Sequence, residues 1–151
     1  MDIIKTILES SNYAYEFIYH NQSILTAQEG AQYFGIDTGQ TAPTLIIKTD
    51  LGFYALIVSG KREQVKFERI SFILGCKQAN MASREEVKKY TGFDVGTLPM
   101  IGIPLPYILD KELFCFPYVY GGSGQSNRTL KITPFALKQL NTVVAITTEF
   151  R

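Results

Sequence analysis

Tryptophan is absent, histidine occurs once and cysteine twice, and each scarcity removes a class of chemistry. The lone histidine, His20, and the distant pair Cys76 and Cys115, which form no C-x-x-C unit, give no spacing for a bound metal. A Ser-His-Asp arrangement would have to use His20, and no G-x-S-x-G turn accompanies it, so His20 reads as a surface or strand-end residue. Neither G-x-G-x-x-G nor G-x-x-x-x-G-K-[ST] occurs, which leaves no cofactor or nucleotide fingerprint. Apolar runs are interrupted by Lys, Asp, Gly or Pro well before the roughly 20 residues a membrane span needs, so no membrane association is expected. The opening "MDIIKTILESSNYAYEF" lacks the basic segment, apolar run and cleavage site of a signal peptide; with it, the two cysteines read as reduced core residues of a cytoplasmic protein.

Charge is also scarce. Charged residues make up 19% of the chain and the formal net charge is +1, which excludes a disordered tail and a strongly basic nucleic-acid binder. A partner rich in phosphate would be touched locally and not wrapped. What is present is ample apolar material: 46% hydrophobic and 13% aromatic in 151 residues, enough for one ordinary domain spanning 1–151.

The pattern along the chain alternates helices and strands irregularly. Ile3, Ile4, Ile7 and Leu8 predict a helix over residues 2–10, and "YAYEFIYH" predicts a strand. Thr26-Ala27-Gln28-Glu29 has capping-box form and opens a helix to Phe34. "TAPTLIIKTDLGFYALIVSG" reads as a hairpin turning at Asp50-Leu51-Gly52, its nearly continuous apolar strands covered on both faces. From Lys61 the spacing of Val65, Phe67, Ile70 and Leu74 predicts a helix ended by Gly75, on which Arg62, Lys66 and Arg69 align as a basic stripe. Glu63 and Glu68 dilute that stripe, so a solvated face competes with a phosphate track. "CKQANMA" is a short strand, and Ser83-Arg84-Glu85-Glu86 is a second capping box.

"TGFDVGTLPMIGIPLP" then packs glycines and prolines around apolar anchors, which predicts a structured loop. Strands Tyr107 to Leu109 and Phe116 to Tyr120 follow, the second running into the small-residue turn "GGSGQSN". A strand from Leu130 to Ile132 and a helix opened by Thr133-Pro134 complete the pattern. The class expected is α+β, or mixed α/β, around one curved mixed sheet. Each glycine loop could bring backbone N–H groups close to a ligand, and each could equally be a plain turn.

In order and spacing, "AQEGAQYFGI", "MASREEVKKYTGFDVGTLPMIG", "LPYILDKEL" and "YVYGGSG" resemble the YbaK-like family, the aminoacyl-tRNA deacylase domain found free-standing and inserted in bacterial prolyl-tRNA synthetases. The resemblance runs through nearly the whole chain. It implies a barrel-like sheet flanked by helices, and hydrolysis of the ester joining a wrong amino acid to the 3′ end of a tRNA, with no metal or other cofactor. The partners it implies are the aminoacyl-tRNA acceptor end and an aminoacyl-tRNA synthetase. It carries substrate-binding roles onto Thr44, onto Gly92, Gly96, Thr97, Pro99 and Gly102 in the long loop, onto Asp110, and onto Gly121, Gly122 and Ser123. Arg62, Lys66 and Arg69 are the candidates for contact with the tRNA.

One departure bears on the chemistry. The family carries a central lysine just before the threonine-leucine that begins the hairpin, and here Pro43 stands in that place. Proline offers neither ammonium nor N–H. Lys48 is a poor substitute: positions 43 and 48 differ by an odd number and point to opposite faces of a regular strand, and Lys48 reads as a strand-end charge. Two functions therefore stand: a divergent or weak deacylase, and a non-catalytic module that binds an acceptor end or a related small ligand. Hydrolysis of another small activated ester or amide is a third.

Overall fold

The computed structural model describes residues 2–61 and 64–150. Helix α1 (Ile3–Glu9) starts where the Asp2 carboxylate accepts from the Lys5 amide, and it buries Ile4 and Leu8 four residues apart. The two capping signals hold. Thr26 Oγ1 accepts from the Glu29 amide at the start of α2 (Ala27–Phe34), although the Glu29 carboxylate meets the threonine hydroxyl rather than its amide. Ser83 and Glu86 close a reciprocal capping box at α4 (Arg84–Thr91), each side chain taking the other's amide proton. Helix α3 (Phe67–Leu74) ends at Gly75 as expected but begins later than the apolar spacing suggests, with Lys66 at its cap position. Of the basic stripe, Lys66 and Arg69 are exposed, and Arg62 lies outside the described residues. Helix α5 (Pro134–Leu140) has proline in its first turn, where no N–H is needed.

The strands form two sheets in place of one. β1 (Tyr15–Tyr19), β7 (Arg128–Ile132) and β6 (Val119–Gly122) make a three-stranded antiparallel sheet in that order. β4 (Ala79–Met81), β2 (Thr44–Thr49), β3 (Gly52–Ile57), β5 (Tyr107–Asp110) and β8 (Val143–Thr147) make a mixed five-stranded sheet, antiparallel through β4-β2-β3 and parallel from β3 through β5 to β8. The sheets meet where Thr41 bridges Tyr120 and the Ala42 amide donates to the Tyr120 carbonyl at 2.8 Å. No closed barrel results, and the mixed character that was expected belongs to the larger sheet.

Three local readings are corrected. Gly121 and Gly122 are ladder residues of β6, opposite Leu130 and Thr129, and the turn falls after them. β8 was not foreseen. Its β-branched run gains its place by pairing with β5, far away in sequence. Cys115 is exposed and Cys76 half-buried, so neither is a core residue; both are free thiols.

The continuous apolar hairpin strands are explained by burial on both sides. Ile46 and Ile57 enter a core with Ile4, Leu8, Met100, Tyr107, Leu130 and Leu137, while their neighbours Ile47 and Leu56 enter a second core with Ile70, Ile108 and Phe150. Lys48, on the outward part of β2, pairs with Glu86 at 2.7 Å and ties the strand to the cap of α4. The Lys48 ammonium, with the Ser83 amide, holds the Glu86 carboxyl down to about 2 from its usual 4.5. A depressed carboxyl stabilises the fold above its unfolded pKa and ceases to do so as pH falls through the folded value. Unfolding free energy is therefore expected to decline as pH drops from about 4.5 to about 2. Glu86→Gln should flatten that decline in denaturant titrations at successive pH values, Asp2 and Asp50 supplying the remaining slope because both are also held below the usual range.

Candidate functional site

A cleft of about 300 Å³ opens where the two sheets meet. That is room for a small ligand or for one end of a large one. Four segments wall it: Thr41 to Leu45 leading into β2, Val95 to Leu98 from the long loop, Tyr120 to Gly122 on β6, and one side of α2 from Ala27 through Gly30 to Phe34. His20, just after β1, adds to the wall with Arg128 and Thr129 of β7, as do Ile24 to Thr26 before α2 and Gln125 and Ser126 before β7.

The glycines of β6 let these segments approach one another. A methyl group on Gly122 would land on the Leu98 carbonyl oxygen, and one on Gly121 would meet Met100 Sδ and the Ala42 carbonyl. The Met100 amide donates to the Gly122 carbonyl at 3.0 Å, so the long loop is bonded to β6 at the same place. Gly96, by contrast, has open space where a Cβ would stand.

Of the residues singled out in the sequence, Pro43, Thr44, Gly96, Thr97, Gly121 and Gly122 are gathered on this cleft. The others stand around it. Gly92 closes α4 in a left-handed conformation, φ 81°, and sends the chain into the loop. Pro99 lies between Leu98 on the wall and buried Met100. Gly102, also at positive φ, packs against Ile4 and Ile7 of α1. Asp110 is buried at the end of β5, where its carboxylate accepts from the Ser59 and Glu112 amides at 2.9 and 3.0 Å. The Ser59 hydroxyl in turn donates to the Gly39 carbonyl at 2.7 Å. Ser123 is held by Arg128. Lys48, Lys66 and Arg69 do not line the cleft, and four residues of extended chain put Lys48 roughly 13 Å along β2 from Thr44.

The electrostatics of the cleft are unusual for a site that would meet phosphate. Among the described residues its one cation is Arg128, and that guanidinium is fully engaged. Nη1 donates to Asp2 at 2.6 Å, Nε and Nη2 donate to the Ser123 hydroxyl and carbonyl at 3.1 and 2.7 Å, and the plane lies 3.9 Å from the Phe17 ring centre. The arginine holds the Asp2 carboxyl below the usual carboxylate range. Its work is to fasten the turn after β6 to the cap of α1. No group of three or more His, Cys, Asp or Glu that could hold a metal ion occurs among the described residues.

Apart from Arg128 and His20, the polar side chains that line the cleft are hydroxyls and one amide. Among the described residues the Thr44 hydroxyl is the one buried side-chain polar atom without a hydrogen-bond partner, directly after Pro43. His20 is 7% exposed and sits at the end of β1, with Nδ1 2.6 Å from the Gln22 carbonyl and Nε2 3.0 Å from the Thr129 hydroxyl. Tyr33 and Phe34 meet its ring edge-on, and Phe34 packs 5.1 Å from Tyr120. The strand-end position of His20 was legible in the sequence. Its place on the cleft depends on register between β1 and β7, which no local signal carries.

Residues 21–140 match the family model described as the aminoacyl-tRNA editing domain. The proline–tRNA ligases of Caldicellulosiruptor bescii and Thermosipho melanesiensis are similar at 32% and 30% identity, over 62% and 70% of this chain. The chain spans less than a fifth of either ligase, 16% and 19%. Among solved structures, a candidate trans-editing enzyme for prolyl tRNA synthetase superposes with a TM-score of 0.83 at 29% identity, covering 94% of this chain and 91% of that one. A hypothetical protein superposes with a TM-score of 0.87 at 22% identity, covering 95% and 97%, a likeness of fold.

The contrast between the two glycines on the cleft can be measured. Gly122→Ala is expected to cost about 2 kcal/mol or more, because either the Leu98 carbonyl or β6 must move. Gly96→Ala should stay within about 0.5 kcal/mol of the parent. Urea unfolding of both variants checks the difference, and equal stabilities would mean that the loop does not rest on β6.

Proposed function

The chain belongs to the aminoacyl-tRNA editing domain family, and we propose that its cleft receives the aminoacylated 3′ end of a tRNA and hydrolyses the ester of a wrongly attached amino acid in trans. The observation that carries this reading is the convergence of the long loop, the β6 glycines and the entrance to β2 on one cleft of about 300 Å³. Only an acceptor end has to enter a cavity of that size. This agrees with a chain of net charge +1, far from the strongly basic balance of proteins that wrap nucleic acid.

The chemistry asks little of the protein. An aminoacyl ester is already activated, so holding it beside an oriented water and placing hydrogen-bond donors near the developing oxyanion can supply much of the rate. Neutral groups suffice for holding: the Thr44 hydroxyl lacks a partner within the fold, and the loop carrying Gly96 and Thr97 lines the same cleft. Gly92, Pro99, Gly102, Asp110 and Ser123 act in this reading by shaping the loop and turn, and Lys66 and Arg69 by meeting the acceptor stem. The partners are the acceptor end and the synthetase that mischarges it.

Pro43 favours a second reading. It stands on the cleft where the family resemblance leads one to expect a lysine, and among the described residues no other free cation lines the wall. A cleft without that ammonium can bind an acceptor end and leave its ester intact.

The test is release of amino acid from a panel of mischarged tRNAs by the parent protein and by Pro43→Lys. Turnover of at least one substrate by the parent is expected, and Pro43→Lys should raise it about tenfold or more, the worth of one charged hydrogen bond to the ester or ribose. If neither protein hydrolyses any substrate while an acceptor-end mimic still binds, the binding-module reading replaces the enzyme.

A further inference from the structure

The sole histidine of the chain lines the cleft in a geometry that gives it a defined proton. The Gln22 carbonyl can only accept, so its 2.6 Å contact places the proton of a neutral imidazole on Nδ1. Nε2 is then an acceptor. The Thr129 hydroxyl, 3.0 Å away, must donate to it, which leaves the threonine oxygen's remaining lone pairs for a donor in the cleft.

The backbone around this pair is firmly held. Thr129 sits on the central strand of its sheet, opposite Ile18 on one side and Gly122 on the other. The His20 amide donates to the Asn127 carbonyl at 2.9 Å. Both side chains are therefore pre-positioned by the sheet, and Thr129 stands across from the glycine that bears on the long loop. A hydroxyl that donates to an imidazole is a better acceptor than an isolated one, because each hydrogen bond polarises the next.

We propose that Thr129 and His20 form a proton relay, with Thr129 the catalytic residue that receives a proton from the attacking water and His20 the base that takes Thr129's own. The inference rests on the editing reading and names the groups that would do its chemistry. Water bound to Thr129 gives its proton to Oγ1 while the threonine proton passes to Nε2. The water oxygen bonds to the ester carbonyl carbon. The bond from that carbon to the ribose oxygen then breaks, the proton held by His20 returns through Thr129 to the departing oxygen, and free amino acid and a tRNA 3′ hydroxyl are released. The Gln22 carbonyl, which accepts from Nδ1 throughout, orients the ring and stabilises the imidazolium as the third group of a hydrolytic triad does. The relay also supplies what Pro43 does not, since it needs no ammonium.

Two measurements test it. Nitrogen NMR of the single histidine should find the neutral ring protonated on Nδ1, with the Nε2 resonance moving in Thr129→Val; a neutral ring protonated on Nε2 overturns the relay whatever the substrate. In single-turnover deacylation, Thr129→Val and His20→Asn should each slow the ester step about 100-fold, the lower range for general acid–base catalysis, with binding of an acceptor-end mimic unchanged. Thr129→Ser should keep most of the rate, and the double variant should be no slower than either single one. A Thr129→Val protein that melts like the parent and hydrolyses at the parental rate removes the relay and leaves the editing function standing. A parent that hydrolyses no aminoacyl ester removes both.

Discussion

The close approach of β6 to two other stretches of chain is the constraint on which the site depends. Its carbonyls accept from Ala42 on one flank, through Tyr120, and from Met100 on the other, through Gly122. Neither contact would fit beside a side chain larger than hydrogen at residues 121 and 122, because a Cβ there would occupy the space of Ala42, Met100 or Leu98. One short strand thereby joins the two sheets and fixes the long loop. The cleft is the space left beside that junction. Backbone hydrogen bonds fix the segments that border it at that junction, which suits the proposed holding of an ester in a narrow range of geometries.

Arg128 extends the same logic. An arginine lining a cleft would ordinarily be taken as a phosphate ligand, yet here its donors go to Asp2 and Ser123 and its face to Phe17. Breaking such a buried pair strands a charge, a far larger cost than the pair's net contribution. The guanidinium is therefore structural: it clamps the turn after β6 to the start of α1, and so holds one rim of the cleft from behind. In the proposed reading, recognition falls to neutral groups such as the hydroxyls of Thr44 and Thr97.

Local features of the fold were legible in the sequence because local physics decides them. Thr26 and Ser83 announce helix starts through bonds to residues three positions on, and Asp50-Leu51-Gly52 announces its hairpin. The two-sided burial of that hairpin was readable from its unbroken apolar run. Non-local pairing was not. Gly121 and Gly122 look like a turn in isolation and become strand residues only because β7 and the neighbouring chain satisfy them. β8 gains its place from β5, and the division into two sheets follows from pairings between residues far apart in sequence. α3 starts late even though its apolar spacing continues upstream, so periodicity alone gave a boundary that the chain does not use. His20 is the instructive case for the site: spacing offers it no motif partners and reads it as a surface or strand-end residue, whereas it is buried, and only the register of β1 against β7 brings it to Thr129.

Pro43 separates what the fold requires at the strand entrance from what the cleft presents there. Residues 41 and 42 pair with β6 and residue 44 begins β2, so residue 43 is the point at which the chain leaves one sheet and enters the other. Proline is well accepted at a strand entrance, where its missing N–H costs least, and its carbonyl still receives the Val58 amide at 3.1 Å. Its side chain is exposed on the cleft. The backbone contacts around residue 43 do not use its side chain, whereas the cleft is bordered by it: a lysine there would add a free cation. With proline in place, the proposed ester cleavage would draw its stabilisation of charge from oriented hydroxyls, backbone amides and an imidazole. Such groups work only if they are held still, and the rigid junction at β6 is what holds them.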